Sequence, residues 1–151
     1  MDITQIQINV LSDSTCSIKK YSGSEEFVEI PSAIEKDGKN YQVIEIGVCA
    51  FKQNRKLKRV SLPEGVTVIR DEAFNGCDQL ETVELPSSVS EIKDNAFKGC
   101  FKHDGVVLPA SLTVVGEHCF EYCKKLSAIA LPGSLKVVAS KASPIARVCS
   151  S

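Results

Sequence analysis

Apolar residues recur along this chain in a fixed register with a period of 23 residues. Two columns make the period plain, because each consists of a single residue type that returns at every repeat. They are Phe51, Phe74, Phe97 and Phe120, and Pro63, Pro86, Pro109 and Pro132. Laid out on this period, the chain contains four repeats, at residues 43–65, 66–88, 89–111 and 112–134. A period of this length indicates a repeat architecture in which each unit packs on its neighbours.

Each repeat contains a segment that alternates between apolar and polar residues and a segment that does not. Residues 80–85 alternate, which predicts a half-buried β-strand, and Pro86 ends it because proline has no N–H to donate. Residues 71–77 begin with two acidic residues and have a glycine near the end, which predicts a short helical turn or an irregular arc. A unit this small cannot bury its own apolar face. Stacking of the repeats therefore predicts a β-rich solenoid with short parallel strands about 4.8 Å apart.

The repeat also matches a known pattern, L-x-x-V-x-L-P-x-x-[VL]-x-x-I-x-x-x-A-F-x-x-C. Here residues 80–86 carry its first part, and Val89, Ile92, Ala96-Phe97 and Cys100 carry the rest. The pattern resembles the BspA-like (Treponema pallidum-type) class of leucine-rich repeats, and the resemblance covers residues 25 to 139. It implies a solenoid of leucine-rich repeats of 23 residues, and a binding or adhesion role rather than catalysis.

The two ends of the chain differ from the repeats. Residues 1–42 are predicted to form an N-terminal β cap, in which 6–21 form a β-hairpin and 27–31 match the strand-plus-proline segment of the repeats. Asp37-Gly38-Lys39 predicts a tight hairpin turn within this cap. Residues 135–151 lose the phenylalanine and the Leu-Pro pair, so they are either a degenerate repeat that caps the C-terminal end or a truncation.

Composition narrows the classes of function. The chain has 151 residues, of which 43% are hydrophobic and 25% charged, and a formal net charge of −1, so one globular domain is expected. A near-neutral chain lacks the basic stripe that general nucleic-acid binding needs, and no apolar run approaches the ~18 residues of a membrane span. We therefore expect no nucleic-acid binding and no membrane insertion. The given N-terminus resembles no signal peptide, which leaves an intracellular protein and a fragment of a surface protein as alternatives.

Cysteine and histidine are the residue types that could carry chemistry. Cys77, Cys100 and Cys123 share one column, and stacking could bring them within disulfide reach or make them a ladder of small buried side chains. His118, Cys119 and Cys123 lie close in sequence, but structural zinc needs four ligands, usually in two close pairs. The sequence has no nucleophile elbow, phosphate loop or H-E-x-x-H motif. It predicts no enzyme, no metal and no cofactor.

The polar positions of the alternating segments predict a binding surface. If the leucines and valines point inward, the residues between them line the concave strand face, which is the common binding surface of solenoids. The predicted partner-binding residues are Lys58, Arg59, Ser61, Glu81, Thr82, Glu84, Asp104, Val107 and Ser127. This face changes from basic through acidic to small and weakly apolar, and the run 52–59 makes one end positive.

The resemblance and this surface together predict a protein-binding leucine-rich-repeat module. The resemblance implies adhesion or surface recognition, with a host or extracellular-matrix protein as the partner. The alternative is a structural or self-associating repeat module without a specific ligand, in which an exposed end, around residues 144–146, pairs with another chain. The identity of the partner and the oligomeric state stay open.

Overall fold

The structure, a computed structural model, describes residues 3–102, 106–126 and 129–138. In these residues the regular structure is almost entirely β, with one 3-10 turn at Ile3–Gln5. The strands are β1 (Ile6–Val10), β2 (Thr15–Tyr21), β3 (Phe27–Glu29), β4 (Ala33–Lys36), β5 (Lys39–Ile46), β6 (Arg59–Ser61), β7 (Val68–Ile69), β8 (Thr82–Glu84), β9 (Glu91–Ile92), β10 (Val114–Val115) and β11 (Val137–Val138). They form two sheets, the long sheet and the short sheet.

The long sheet has the order β1-β2-β5-β7-β9-β10-β11, with β4 paired to part of β5. The β1–β2 and β4–β5 pairs are antiparallel, and the others are parallel. From β5 onward the register joins residues 23 positions apart, such as Glu45 with Val68 and Val68 with Glu91. Each repeat thus contributes to the long sheet a strand that the alternation does not reveal. Two residues are too few to show a period of two, and the buried Val66 and Ile69 are three positions apart, a spacing that favours a turn.

The short sheet has the order β3-β6-β8 and is parallel throughout. Val28, Val60 and Val83 are in register, and Val106 forms a single parallel bridge with Val83. The step from β3 to β6 is longer than the later steps because the β4–β5 hairpin lies between them in the chain. Its turn residues Asp37 and Gly38 have φ values of 53° and 77°, which is typical of a two-residue type I′ turn.

A stack of aromatic rings runs through the core between the sheets and the arcs. Its order is Tyr21, Phe51, Phe74, Phe97 and Phe120, with ring centroids 5.3, 4.9, 5.2 and 5.9 Å apart. The four phenylalanines are buried and nearly parallel, at interplanar angles of 9°, 5° and 2°. Each repeat therefore buries its ring against the rings of its neighbours, as expected for a unit too small to form a core of its own.

The arcs that close each repeat are turns, held by hydrogen bonds to the neighbouring coils. The N–H of Phe74 donates to the carbonyl of Ala96 at 2.8 Å, and the Sγ of Cys77 lies 3.0 Å from the carbonyl of Phe51. Cys100 and Cys123 repeat the latter contact with Phe74 and Phe97, at 2.8 and 3.0 Å. Cys16, Cys49, Cys77, Cys100, Cys119 and Cys123 are free thiols. The shared column is thus a ladder of buried side chains that satisfies backbone carbonyls, not a set of disulfides.

Candidate functional site

The exposed side of the short sheet, here called the short-sheet face, carries most of the predicted binding residues. Because side chains alternate along a strand, the buried valines of β3, β6 and β8 leave the residues on either side of them pointing outward. Arg59 and Glu84 are exposed, Ser61 and Thr82 are half-buried, and Val107 is 82% exposed. Asp104 and Ser127 lie outside the described residues.

A shallow depression of about 660 Å³ lies on this face. It is lined by Phe27, Val28, Glu29, Pro31, Arg59, Ser61 and Glu84. The structure therefore brings together Arg59, Ser61 and Glu84 from the predicted set. Lys58, Glu81, Thr82 and Val107 do not line the depression.

Residues of β3 complete the depression, and the predicted set does not include them. Phe27 is 60% exposed, and the guanidinium of Arg59 lies over its ring, 5.7 Å from the centroid. This distance is typical of a cation–π contact. A signal for Phe27 exists in the sequence, since Val28 and Ile30 both point inward and place Phe27 and Glu29 on the outer side.

The charges in the depression are arranged in register across three strands. Glu29, Ser61 and Glu84 are direct neighbours on β3, β6 and β8. Within the described part of the chain, neither carboxylate forms an ion pair or a side-chain hydrogen bond. Arg59 likewise has no carboxylate partner there, so its charge is met only by the ring of Phe27. The depression thus holds one positive and two negative charges that are free to meet a ligand.

The basic run at 52–59 is less positive than its sequence suggests. Two of its three lysines are paired with carboxylates from other coils, Lys52 with Glu72 at 2.8 Å and Lys58 with Glu26 at 3.1 Å. Arg55 lies 4.0 Å from Asp78. Lys56 and Arg59 have no ion pair among the described residues, so this end keeps part of its positive charge, and the charge gradient along the face stays a prediction.

Two further clusters contain groups that could be reactive. The Sγ of Cys49 lies 3.3 Å from Glu72, and its pKa is raised by burial and by that carboxylate, whereas the Lys52 ammonium lowers the pKa of Glu72. Burial raises the pKa of Cys123 to about 12. Thiols with raised pKa values carry little thiolate at neutral pH and make weak nucleophiles or metal ligands.

The His118 segment does not assemble a metal site in the described residues. The Nδ1 of His118 contacts the carboxylate of Glu121, and Cys119 is buried in the column of Ala50, Ala73 and Ala96. Across 3–102, 106–126 and 129–138, no three His, Cys, Asp or Glu side chains converge as they would around a metal ion. In the same ranges, no helix has the length and apolarity needed to cross a membrane.

The chain is similar to proteins of known structure. The leucine-rich repeat protein of T. pallidum shares 29% identity over 87% of this chain and 71% of that chain, with a TM-score of 0.68. A leucine-rich repeat protein from Bacteroides ovatus shares 26% identity over 89% of this chain but only 42% of its own, with a TM-score of 0.65. One from Bacteroides capillosus, at 22% identity, has the same fold over 91% of this chain and 95% of its own, with a TM-score of 0.68.

The sequence itself matches a family. A comparison with curated proteins finds no match. Residues 44–143, which are 100 of the 151 residues, match the BspA type leucine-rich repeat region in six copies. The protein therefore belongs to the BspA-type leucine-rich repeat family.

Proposed function

We propose that this protein is a protein-binding module that recognises its partner with the short-sheet face. Leucine-rich repeat proteins generally mediate protein interactions, and extended solenoid faces are common binding surfaces. The observation that carries the proposal is the depression at Phe27, Arg59 and Glu84. It combines an exposed aromatic ring with charged groups that have no ion-pair partner among the described residues.

The residue types in the depression support a binding role. Residues that carry much of the binding energy of protein interfaces are enriched in aromatic and arginine side chains, and Phe27 and Arg59 form one contacting pair on β3 and β6 of this face. Phe27 stays 60% exposed beside Arg59, so apolar area of the ring is available for a partner to cover. The proposal extends to adhesion or surface recognition of a host or extracellular-matrix protein, since the repeat pattern resembles that of surface proteins.

The proposal is tested by capture on an immobilised extracellular-matrix extract and on cell lysate. Arg59→Glu and Phe27→Ser should both lose a partner that the native protein binds, because each removes half of the contacting pair. Lys56→Glu is the matched control, since Lys56 is exposed and basic but does not line the depression. Equal capture by native protein, Arg59→Glu and Lys56→Glu would move the binding site off this face.

A second candidate is self-association through the N-terminal edge of the long sheet. β1 is the end strand of that sheet, and among the described residues no strand pairs with its outer edge. Val10 and Leu11 are exposed there, and unpaired apolar edges favour pairing with another chain. Sedimentation across a concentration series tests it, with Val10→Lys expected to keep the protein monomeric. The C-terminal end considered from the sequence lies outside the described residues.

A further inference from the structure

We propose that the partner reaches the short-sheet face with an extended segment that carries a basic side chain two residues from an apolar one. The inference rests on the proposed function, because it specifies which partner segment fits the same depression. It follows from three features of the depression, namely the spacing of its carboxylates, its net charge and the position of Phe27.

The spacing of the carboxylates leaves room for one cation. Glu29 and Glu84 lie on either side of Ser61, in register on neighbouring parallel strands. Strands in a sheet are about 4.8 Å apart, so the two glutamates are separated by about 10 Å at the backbone. Ser61 has a short side chain, and the space above it forms part of the depression. An ammonium or guanidinium group above Ser61 is within reach of both carboxylates, and the hydroxyl supplies a further acceptor.

The net charge of the depression selects a cation over an anion. Its lining contains Glu29, Glu84 and one basic residue, Arg59, which gives a net charge of −1. Arg59 is held over the ring of Phe27 and does not pair with either glutamate. Beside the depression, Lys58 is neutralised by Glu26. An anionic side chain above Ser61 would therefore meet two unpaired carboxylates, whereas a cation would satisfy both.

The position of Phe27 sets the second requirement. Phe27 and Glu29 point to the same side of β3 and are two residues apart, a distance of about 6.6 Å along a strand. In an extended peptide, side chains on one side likewise recur every two residues, about 6.6 Å apart. When its basic residue lies between Glu29 and Glu84, the side chain two positions away therefore lies over Phe27 and Arg59. The exposed part of the phenylalanine ring favours an aliphatic side chain at that position.

The test is a titration of the full chain, labelled with ¹⁵N, with short capped peptides followed by NMR. The probes are Gly-Lys-Gly-Leu-Gly and Gly-Leu-Gly-Lys-Gly, which present the pair in both orders. The matched controls are Gly-Glu-Gly-Leu-Gly, which reverses the charge, and Gly-Lys-Gly-Gly-Gly, which removes the apolar side chain. We expect at least one lysine–leucine peptide to shift the amide signals of Glu29, Ser61 and Glu84 in a saturable way, and the glutamate peptide to shift none of them.

Two variants separate this contact from general attraction of a cation. Glu84→Gln should weaken binding of the lysine–leucine peptide about two- to fivefold, the range of one exposed charge pair. Ser61→Lys places a cation of the chain's own between the two carboxylates and should abolish the shifts. Its control, Ser61→Ala, removes only the hydroxyl acceptor and should retain saturable binding. Glu84 is exposed, and Ser61 is half-buried on the outer side of β6, so none of these changes enters the core and the variants should fold.

The outcomes distinguish this inference from the proposed function. Equal shifts with the lysine and glutamate peptides, or unchanged binding by Ser61→Lys, would overturn the inference and keep the face as a binding surface. An absence of shifts at Glu29, Ser61 and Glu84 with every peptide would also overturn it. The proposed function would then stand or fall on capture by the Arg59→Glu and Lys56→Glu proteins.

Discussion

Replacing Phe74 by alanine tests whether the ring stack carries the stability of the repeats. Phe74 is fully buried and lies between Phe51 and Phe97, with ring centroids 4.9 and 5.2 Å away. A buried phenylalanine truncated to alanine costs about 3–5 kcal/mol of unfolding free energy. Stacked pairs contribute about 0.5–1.5 kcal/mol each beyond the buried area, and Phe74 takes part in two of them. We therefore expect a loss in the upper half of the range, about 4–5 kcal/mol.

Urea unfolding followed by circular dichroism measures this loss. With a slope of about 2 kcal/mol per molar urea, the midpoint should fall by about 2 M while the slope stays constant. Phe27→Ala is the matched control, because Phe27 is 60% exposed and its truncation should change the unfolding free energy by no more than about 0.5 kcal/mol. A loss for Phe74→Ala below about 1.5 kcal/mol, or no larger than that of Phe27→Ala, would refute the stack as the main support of the core.

Three further predictions concern the arcs, and each is checked by a different experiment. Gly76→Ala should cost about 1–2 kcal/mol in urea unfolding, because Gly76 has a φ of 79°, whereas Gly133→Ala, with nothing near its added Cβ, should cost nothing. The Lys52 contact lowers the pKa of Glu72, so at neutral pH the native protein should have a larger unfolding free energy than Glu72→Gln. This difference in unfolding free energy should disappear as the pH falls from the ordinary pKa of glutamate through the lowered pKa of Glu72. A difference that stays constant down to about pH 3 would contradict the pairing. Cys123, whose pKa is about 12, should resist thiol alkylation at neutral pH until the protein is unfolded, as mapped by mass spectrometry.

The buried columns of this fold are predictable from sequence because each repeat must solve the same packing problem. Phe74 meets Phe51 and Phe97 in the structure, and the period of the sequence already aligns the three. The second strand of each repeat is not predictable in the same way. β7 is only Val68–Ile69, and it is a strand because β5 and β9 supply hydrogen-bond partners, not because its own residues alternate.

Only part of the candidate site could be predicted from the sequence. Arg59, Ser61 and Glu84 follow from the alternation in β6 and β8, which fixes the outward side. Phe27 and Glu29 lie before the β4–β5 hairpin, which breaks the period of 23, but alignment of Pro31 with Pro63 pairs them with Arg59 and Ser61 as observed. They were left out because the predicted set began with the first full repeat. Ion pairs such as Lys58–Glu26 depend on side-chain placement between coils, which the spacing of residues in the sequence does not give.

The inward and outward columns of the short sheet differ in how much their residue types vary, and this difference indicates which positions determine binding specificity. The inward column of the short sheet is Val28, Val60 and Val83, one residue type throughout, because the core admits one shape. The outward column beside it is Glu29, Ser61 and Glu84, and the other is Phe27, Arg59 and Thr82. Packing of the core does not fix the residue type at these outward positions, so the residues there can vary to fit a partner. The depression forms where the smallest of them, Ser61, stands between two carboxylates, and this is the place where the face differs most from a uniform solvated surface.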